Sequence, residues 1–382
     1  MLAPEQDPFA PEAVRSLVRR FGSPLFVLDL ARIRYQYHAL AAALPGVDLH
    51  YALKPLPHPA VVKTLDAAGA CFDLASTGET ELVRGLGIAA QRCIHTHPVK
   101  RDIDIRNTLH AGVTRFVVDN PDELRKFERY AQQASLLIRV SFRSPDARCD
   151  LSRKFGCDPE AVEELLRLAA RLGVRIGGLS FHVGSQAENP AMYVQAIEVC
   201  QQLLERVARH GAPASILDIG GGFPVSYGGA PVDIEAFCAP IRAALARLPA
   251  SLRLIAEPGR FIAAPAAITA MSVMGRAQRD GRWWYYLDEG LYGCFNGQLF
   301  DHVKYPVTPL DGRGAPLPSV LAGPTCDSID VIDEQLELPR LRIGDLLVGS
   351  MMGAYTWCSA TEFNFFPKTR VLALDRGQWV RV

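Results

Sequence analysis

The chain of 382 residues carries no net charge, no C-x-x-C pair and no long apolar run. Because 41 basic side chains balance 41 acidic ones, the composition indicates neither a nucleic acid nor a membrane surface as a partner. No apolar stretch reaches the roughly 18 residues that a membrane-spanning helix needs. The N-terminal segment also lacks the basic stretch and apolar core of a secretory signal, so a cytoplasmic location is expected.

The nine cysteines are scattered and odd in number, which disfavours a disulfide framework and fits a reduced compartment. His95 and His97 are spaced like a metal-binding pair, but no third ligand follows in register, so no metal site is predicted. Hydrophobic residues (49%) and charged residues (21%) occur in the proportions of a folded globular chain.

What the sequence does contain is a regular alternation of strand-like and helix-like segments. Eight short apolar runs are typical of buried strands: Leu49–Leu53, Ala70–Ala75, Cys93–Thr96, Arg115–Val118, Leu136–Phe142, Ile176–Val183, Ser215–Ile219 and Leu252–Ala256. Helical patterns separate them. Eight such pairs favour a (β/α)8 barrel of the TIM type, with a doubly wound open sheet as the alternative.

After about residue 266 the pattern changes to short β-rich runs separated by turn signals such as Asp311-Gly312, which is typical of an antiparallel β-domain. The apolar segment Pro24–Asp29 is a candidate partner strand for this domain. We therefore predict an α/β barrel domain over residues 29–266, and a C-terminal β-domain formed by residues 267–382 together with residues 1–28.

Chemically unusual residues stand at or just after the predicted strand ends, which form the face of a barrel where active sites are built. Lys54 follows the first strand. A lysine with a desolvated stem has a lowered amine pKa and can form a Schiff base, although a surface lysine fits the same position. His182 closes the sixth strand, where it is either packed or catalytic, and Ser185 is a candidate phosphate contact beyond it.

The loops after the seventh and eighth strands, where barrels commonly bind phosphate, are also unusual. The first holds three consecutive glycines, Gly220, Gly221 and Gly222. Glycines let backbone N–H groups approach an anion, although a tight turn would explain them too. The second holds Glu257, Gly259 and Arg260. Arg260 can hold a phosphate through two hydrogen bonds, and Glu257 can either face a cofactor ring or pair internally with Arg260.

One thiol of the predicted β-domain is a candidate proton donor. The segment Gly323–Ser328 would present Cys326 and Asp327 on turn residues. An ordinary thiol has a pKa of roughly 8.5, so it can donate a proton near neutrality. The alternative is a buried structural cysteine.

Taken in order, these motifs resemble the fold-type III pyridoxal-phosphate decarboxylases, and among them the ornithine decarboxylases. The resemblance covers nearly the whole chain and rests on nine segments: Tyr51–Lys54, Phe72–Ser76, Leu151–Gly156, Phe181–Ser185, Asp218–Pro224, Glu257–Arg260, Tyr292–Asn296, Gly323–Asp327 and Gly353–Thr356. It implies an alanine racemase-like barrel with a β-domain, pyridoxal 5'-phosphate as the cofactor, and a homodimer in which the partner completes each active site.

The resemblance also implies roles. Lys54 resembles the lysine that holds the cofactor, and His182 the imidazole stacked on its ring. The other implied cofactor contacts are Asp73, Glu79, Ser185, Gly220, Gly221, Gly222, Glu257, Gly259, Arg260 and Tyr355. Glu257 resembles the acid that keeps the pyridine nitrogen protonated; racemases of this barrel type place an arginine there, so the acid favours a decarboxylase. Cys326 resembles the partner's thiol that protonates the substrate carbon after CO2 leaves.

The implied substrate is a basic diamino acid. Asp301 and Asp327 match acidic residues that receive its distal ammonium, and Tyr292 belongs to the same site. The expected reaction is L-ornithine to putrescine and CO2, a step of polyamine biosynthesis. Lysine as a second substrate, a modified diamino acid of a secondary-metabolite or siderophore pathway, and an inactive regulatory homologue are the alternatives. Pro55-Leu56, after the lysine, departs from the family pattern and motivates the modified substrate.

Overall fold

The computed structural model describes residues 7–142, 154–210 and 214–380. Cys149 and the first three residues of the segment Leu151–Gly156 lie outside these ranges. The chain forms two compact units. The barrel unit consists of Tyr35–Val225 and Pro231–Phe261, and the β-unit consists of Met1–Arg34, Ser226–Ala230 and Ile262–Val382.

The first strand, β1 (Leu25–Asp29), belongs to the β-unit, and the next eight strands close into a parallel barrel. They are β2 (Val47–Ala52), β3 (Cys71–Leu74), β4 (Cys93–His95), β5 (Arg115–Val118), β6 (Ser135–Val140), β7 (Arg175–Phe181), β8 (Ile216–Asp218) and β9 (Arg253–Ala256). Pairing of β2 with β9, which sets Val47 opposite Leu254, closes the ring. The barrel prediction is confirmed, and the open-sheet alternative is wrong.

Helices follow the strands around the barrel. The described α-helices are α1 (Pro11–Phe21), α2 (Leu30–Ala43), α3 (Pro59–Ala67), α4 (Thr77–Gly85), α5 (Asp102–His110), α6 (Pro121–Lys126), α7 (Val162–Leu172), α8 (Ala191–Arg209), α9 (Ile234–Leu245), α10 (Arg260–Ala263) and α11 (Gly297–Phe300). Single 3-10 turns cover Ala90–Arg92, Glu128–Tyr130, Pro159–Ala161, Ala264–Ala266, Trp357–Ser359 and Phe363–Phe365.

Strand ends and helix starts are set by local chemistry. A cluster of buried aliphatic side chains fills the barrel interior: Ile94, Val117, Leu137, Ile216 and Ile255. Ser76 caps α4 and Asn120 caps α6, because each side chain accepts an N–H of the first helical turn that would otherwise lack a partner. These caps turn the chain from strand to helix within a few residues, so the loops that carry the unusual residues stay short.

The β-unit contains a mixed sheet. The remaining described strands are β10 (Ala267–Arg279), β11 (Arg282–Leu287), β12 (Val307–Pro309), β13 (Arg313–Ala322), β14 (Val331–Arg340), β15 (Leu346–Gly349), β16 (Arg370–Asp375) and β17 (Gln378–Trp379). The predicted N-terminal partner strand is present, since β1 pairs antiparallel with β10 and parallel with β16. β11 and β13 are also parallel, so the sheet is not purely antiparallel. Among the described residues, no helix is long and apolar enough to cross a membrane.

Candidate active site

The barrel gathers the predicted residues of its unit at one face. Lys54 lies two residues after β2, Asp73 is within β3, His182 directly follows β7, and Glu257 directly follows β9. The carboxyl ends of the parallel strands meet on this face. Burial raises the pKa values of Asp73, Glu79 and Glu257 and lowers that of His182, and the positive charge of Lys54 acts on all four, so these side chains surround one centre.

Lys54 itself is exposed, in agreement with the alternative of a surface lysine. The residues after it are buried. A Cβ built on Gly259 would lie 2.6 Å from the Pro55 ring carbon Cγ, and the Ala52 N–H donates to the Pro258 carbonyl at 3.1 Å. Pro55 therefore ties the Lys54 loop to the loop after β9, and only a glycine at position 259 leaves room for this contact.

Two buried acids, Glu257 and Asp218, form a hydrogen bond at the same face. Burial raises the pKa of Asp218 to about 6, and the bond from Glu257 partly offsets this rise. Burial and the charge of Asp218 raise the pKa of Glu257 well above its ordinary value. Because two adjacent buried carboxyls do not both ionise readily, the pair retains a proton. The Gly220 N–H also donates to Asp218 Oδ1 at 2.9 Å.

The buried acids face a cation that the sequence did not single out. Arg139, on β6, interacts electrostatically with Asp73, Asp218 and Glu257, and desolvation lowers its pKa. Charged side chains are rarely buried unless they are paired. An arginine inside the apolar run Ser135–Val140 was the available signal, because such a residue requires acidic partners from neighbouring strands.

His182 is held as a neutral ring. Its Nδ1 accepts the Gly184 N–H at 3.0 Å, so a neutral ring carries its proton on Nε2. Desolvation, followed by the charges of Arg139 and Lys54, lowers the pKa of His182 well below its ordinary value. A Cβ on Gly221 would lie 3.3 Å from Nε2. The imidazole therefore stands over the glycine loop as an uncharged flat surface.

Asp73 and Glu79 are fixed by hydrogen bonds. The Thr96 hydroxyl donates to Asp73 Oδ1 at 2.5 Å, and the Ala75 N–H donates to Glu79 Oε2 at 2.6 Å. Desolvation and the charge of Glu257 raise the pKa of Asp73 well above its ordinary value. Desolvation also raises the pKa of Glu79. Both carboxyls thus retain a proton more strongly than exposed acids do.

Donors suited to an anion lie beside these acids. The Arg260 guanidinium is buried and donates to the Ser185 hydroxyl at 3.2 Å. Gly220 and Gly222 have φ values of +68° and +111°. A Cβ at either position would lie 2.3 Å from a backbone oxygen, of Phe181 or Gly184. The loop therefore needs glycine both for close packing and for its unusual backbone angles, which a tight turn alone would not require.

Among the predicted residues of the β-unit, Tyr292 and Asp327 are in contact. Cys326 is exposed, so the alternative of a buried structural cysteine is wrong. The Tyr292 hydroxyl donates to Asp327 Oδ2 at 2.5 Å; this bond lowers the pKa of Asp327 and raises that of Tyr292. Asp301 is half-buried at the end of α11, and Tyr355 is half-buried with φ +58°.

Asp330 holds the loop that carries Cys326 through hydrogen bonds. This buried side chain accepts the Leu291 N–H at 2.7 Å, the Thr325 N–H at 3.0 Å and the Thr325 hydroxyl at 2.7 Å. A Cβ on Gly323 would lie 2.2 Å from Asp330 Oδ1. The loop is therefore anchored by a carboxylate, and the sequence reasoning missed both Asp330 and the neighbouring Asn364.

A lysine, a proton-sharing acid pair and an anion-binding loop at one end of a (β/α)8 barrel define an enzyme that works with a phosphorylated cofactor. The chain belongs to the pyridoxal-dependent decarboxylases: the family model described as "Pyridoxal-dependent decarboxylase, pyridoxal binding domain" matches residues 30–264. It is a pyridoxal-phosphate-dependent amino-acid decarboxylase of the group that includes ornithine and lysine decarboxylases.

Characterised relatives are similar over most of their length. A lysine/ornithine decarboxylase from Vibrio vulnificus, solved with putrescine, is 52% identical with a TM-score of 0.91; the match covers 96% of this chain and 98% of that one. "Lysine/ornithine decarboxylase" of Selenomonas ruminantium is 37% identical over 92% of this chain and 90% of its own length. The chloroplastic ornithine decarboxylase of Nicotiana glauca is 33% identical, and the match covers 91% of this chain and 83% of that protein.

Proposed function

We propose that the protein decarboxylates L-ornithine to putrescine and CO2 and accepts lysine as a second substrate. The observation that carries this proposal is the hydrogen bond that Asp327 accepts from Tyr292. This bond lowers the pKa of the carboxyl, which is therefore anionic at neutral pH and suited to a distal ammonium. Asp301 is proposed as a second acidic contact. The relatives named as lysine/ornithine decarboxylases support both substrates.

The residues of the barrel unit fit pyridoxal 5'-phosphate. Arg260, Ser185 and the backbone of Gly220–Gly222 supply hydrogen-bond donors for a phosphate, with Gly259 leaving room beside them. The Lys54 amine is the proposed attachment point, and Tyr355 a further phosphate contact. When bound, the cofactor supplies an electron sink for the pair released from the breaking carbon–carbon bond.

The acid pair is proposed to supply the proton for the cofactor's ring nitrogen. With the proton of the pair on Glu257, this side chain could protonate a ring nitrogen and would then remain beside it as a carboxylate. Asp218 and Arg139 hold Glu257 in place during this change of charge. Neutral His182 would pack flat against the ring, since an imidazolium would repel a protonated pyridine. Asp73 and Glu79 would keep the Lys54 amine oriented.

Cys326 is proposed to complete the reaction. The bond from the substrate's Cα to its carboxylate breaks, CO2 leaves, and the electron pair stays with Cα. The Sγ proton then moves to Cα to form the new C–H bond, and the thiolate regains a proton from water. Cys326→Ala should keep the cofactor but slow amine formation by about 10²–10⁴-fold, the range of a lost general acid. A wild-type rate would contradict the acid role.

The proposed functional form is a cytoplasmic homodimer, in which the partner's Cys326 and Asp327 complete each active site. Exposure of Cys326 supports this arrangement, because a proton donor must be reachable by a substrate held elsewhere. The small-molecule amino acid is the only other partner proposed, without a nucleic acid or a membrane.

Steady-state turnover tests the proposal directly. We expect ornithine and lysine to be decarboxylated and diaminopimelate to be a poor substrate, because its second carboxylate would meet Asp327. Negligible turnover of both ornithine and lysine would overturn the proposal in favour of a modified diamino acid. The wild-type protein supplied with cofactor should show a visible absorbance band that Lys54→Ala lacks. No band in the wild type would instead favour an inactive regulatory homologue.

A further inference from the structure

The exposed segment Thr361–Phe366 lies against the loop that carries Cys326. The Cys326 N–H donates to Asn364 Oδ1 at 3.2 Å, and the Cys326 Sγ donates to the same oxygen at 3.2 Å. Asn364 therefore contacts both the backbone and the thiol of the proposed proton donor.

The two contacts fix the orientation of the Asn364 amide. A backbone N–H can only donate, so the atom that it meets must be the carbonyl oxygen and not the amide nitrogen. Since that oxygen also meets Sγ, the thiol must donate to it. The Asn364 oxygen therefore fixes the direction of the Cys326 S–H bond as well as the position of its backbone.

The backbone of this segment is unfavourable without a compensating contact. Asn364 and Phe365 have φ values of +55° and +60°, a region that asparagine tolerates and phenylalanine rarely adopts. The Phe365 side chain is 98% exposed, so its burial does not offset the strain. Such strained backbone persists where the surroundings over-determine it, and it clusters at functional sites.

Further contacts join this segment to Tyr292, a proposed substrate residue. The Phe363 ring stacks on Tyr292 at 4.3 Å between centroids, and the Thr361 N–H donates to the Tyr292 carbonyl at 2.9 Å. Tyr292 in turn donates to Asp327. One short segment is therefore connected to both Cys326 and Asp327, which fixes the thiol relative to the carboxylate.

We propose that Asn364 is a positioning residue that orients the Cys326 thiol for transfer of its proton to Cα. This inference rests on the proposed function, since Cys326 has the acid role only there. Asn364 acts through Cys326 rather than by contact with the substrate or the cofactor.

The first test measures alkylation of Cys326 in the cofactor-free protein with iodoacetamide, followed by mass spectrometry of the Cys326 peptide. Asn364→Ala should accelerate alkylation roughly three- to tenfold, because Sγ loses the hydrogen bond that restrains it. Asn364→Asp keeps the acceptor oxygen and adds negative charge, so its rate should stay at or below the wild-type rate. Glu362→Gln, on the same exposed segment, is the matched control and should leave the rate unchanged.

Equal rates in wild type and Asn364→Ala would overturn the inference, as would acceleration by Asn364→Asp to the level of Asn364→Ala. This readout needs no cofactor and no turnover, so it is independent of substrate identity. A general loosening of the segment would accelerate alkylation in both Asn364 variants, whereas loss of the specific hydrogen bond accelerates it only in the alanine variant.

The second test measures products of the holoenzyme. If Cys326 did not deliver its proton to Cα, the bound cofactor would allow hydrolysis to release the product as an aldehyde instead of an amine. Asn364→Ala should raise the aldehyde-to-amine ratio at least about tenfold, and Asn364→Asp should restore much of the amine. An unchanged ratio in Asn364→Ala, with an active wild type, would overturn the inference. Absence of amine from the wild type would instead overturn the proposed function.

Discussion

The carboxyls of Glu257 and Asp218 form a hydrogen bond at the carboxyl end of the barrel strands. Both side chains are buried, with 6% and 0% exposure, and the Gly220 N–H holds Asp218 at the end of β8. Ionising two adjacent buried acids is energetically unfavourable, so the pair retains one proton at neutral pH. This proton lies beside the position proposed for the cofactor's ring nitrogen, which links the stability of the cofactor-free protein to the proposed chemistry.

Asp218→Asn should change how the stability of the cofactor-free protein depends on pH. Burial raises the pKa of Asp218 from 3.8 to about 6, so the folded chain keeps a proton that the unfolded chain has lost. The stability that this group contributes is fully present below about pH 3.8 and is lost as the pH rises to about 6. The loss amounts to at most about 3 kcal/mol, at 1.36 kcal/mol per pKa unit.

Chemical denaturation of wild type and variant between pH 4 and pH 6 measures this effect. The free energy of unfolding of the wild type should fall relative to that of Asp218→Asn across the interval, since other titrating groups largely cancel in the difference. Asp122→Asn, a change at an exposed carboxyl on α6, is the control and should run parallel to the wild type. Parallel curves for Asp218→Asn as well would contradict the raised pKa of Asp218.

Gly222→Ala should destabilise the cofactor-free protein by about 2–4 kcal/mol, because the new Cβ clashes and the backbone angle is strained. The Cβ would lie 2.3 Å from the Gly184 oxygen, at φ +111°. Gly228→Ala is the matched control, since a Cβ there meets nothing within 4 Å and the φ is outside the left-handed region. Thermal denaturation of both variants should show a loss of Tm only for Gly222→Ala. A normal Tm would mean that the loop repacks easily.

The barrel could be predicted from sequence because strands buried on both faces appear as apolar runs. Each predicted run begins and ends within two residues of the bounds of the observed strand. The contact between Asp218 and Glu257 could not be predicted from sequence, although both residues are near strand ends. It depends on the register of β8 against β9, which sets Asp218 opposite Ile255 two residues before Glu257. Register between parallel strands is a property of the packed barrel, and no local pattern encodes it.

Two residues, Arg139 and Asn364, were not identified from the sequence, for different reasons. The role of Arg139 was not predicted because its acidic neighbours come from other strands. Asn364 lies in an exposed segment without periodicity, 38 residues from Cys326 in sequence. For Lys54 the sequence left a desolvated and a surface side chain open, because a position just after a strand fits both. The structure shows the side chain exposed.

Arg260→Lys should weaken cofactor binding by about 10–100-fold, because a lysine cannot make two parallel hydrogen bonds to a phosphate. Burial of Arg260 and its bond to the Ser185 hydroxyl make the geometry of the guanidinium important. Titration of the cofactor-free protein with pyridoxal phosphate, followed by visible absorbance, gives the dissociation constant. Arg125→Lys, at an exposed position on α6, should bind like the wild type. Equal affinity for Arg260→Lys would remove Arg260 from the proposed phosphate site.

Mixing two inactive variants should restore activity if each site combines residues of both protomers. Lys54→Ala removes the proposed cofactor lysine of the barrel unit, and Cys326→Ala removes the proposed proton donor of the β-unit. Random exchange makes about half of the dimers mixed, and each mixed dimer has one intact site of two, so about a quarter of the wild-type activity should return. The mixture is compared with each variant refolded alone under identical conditions. If exchange is verified by mass and activity stays at the level of the separate variants, Cys326 acts on the active site of its own chain.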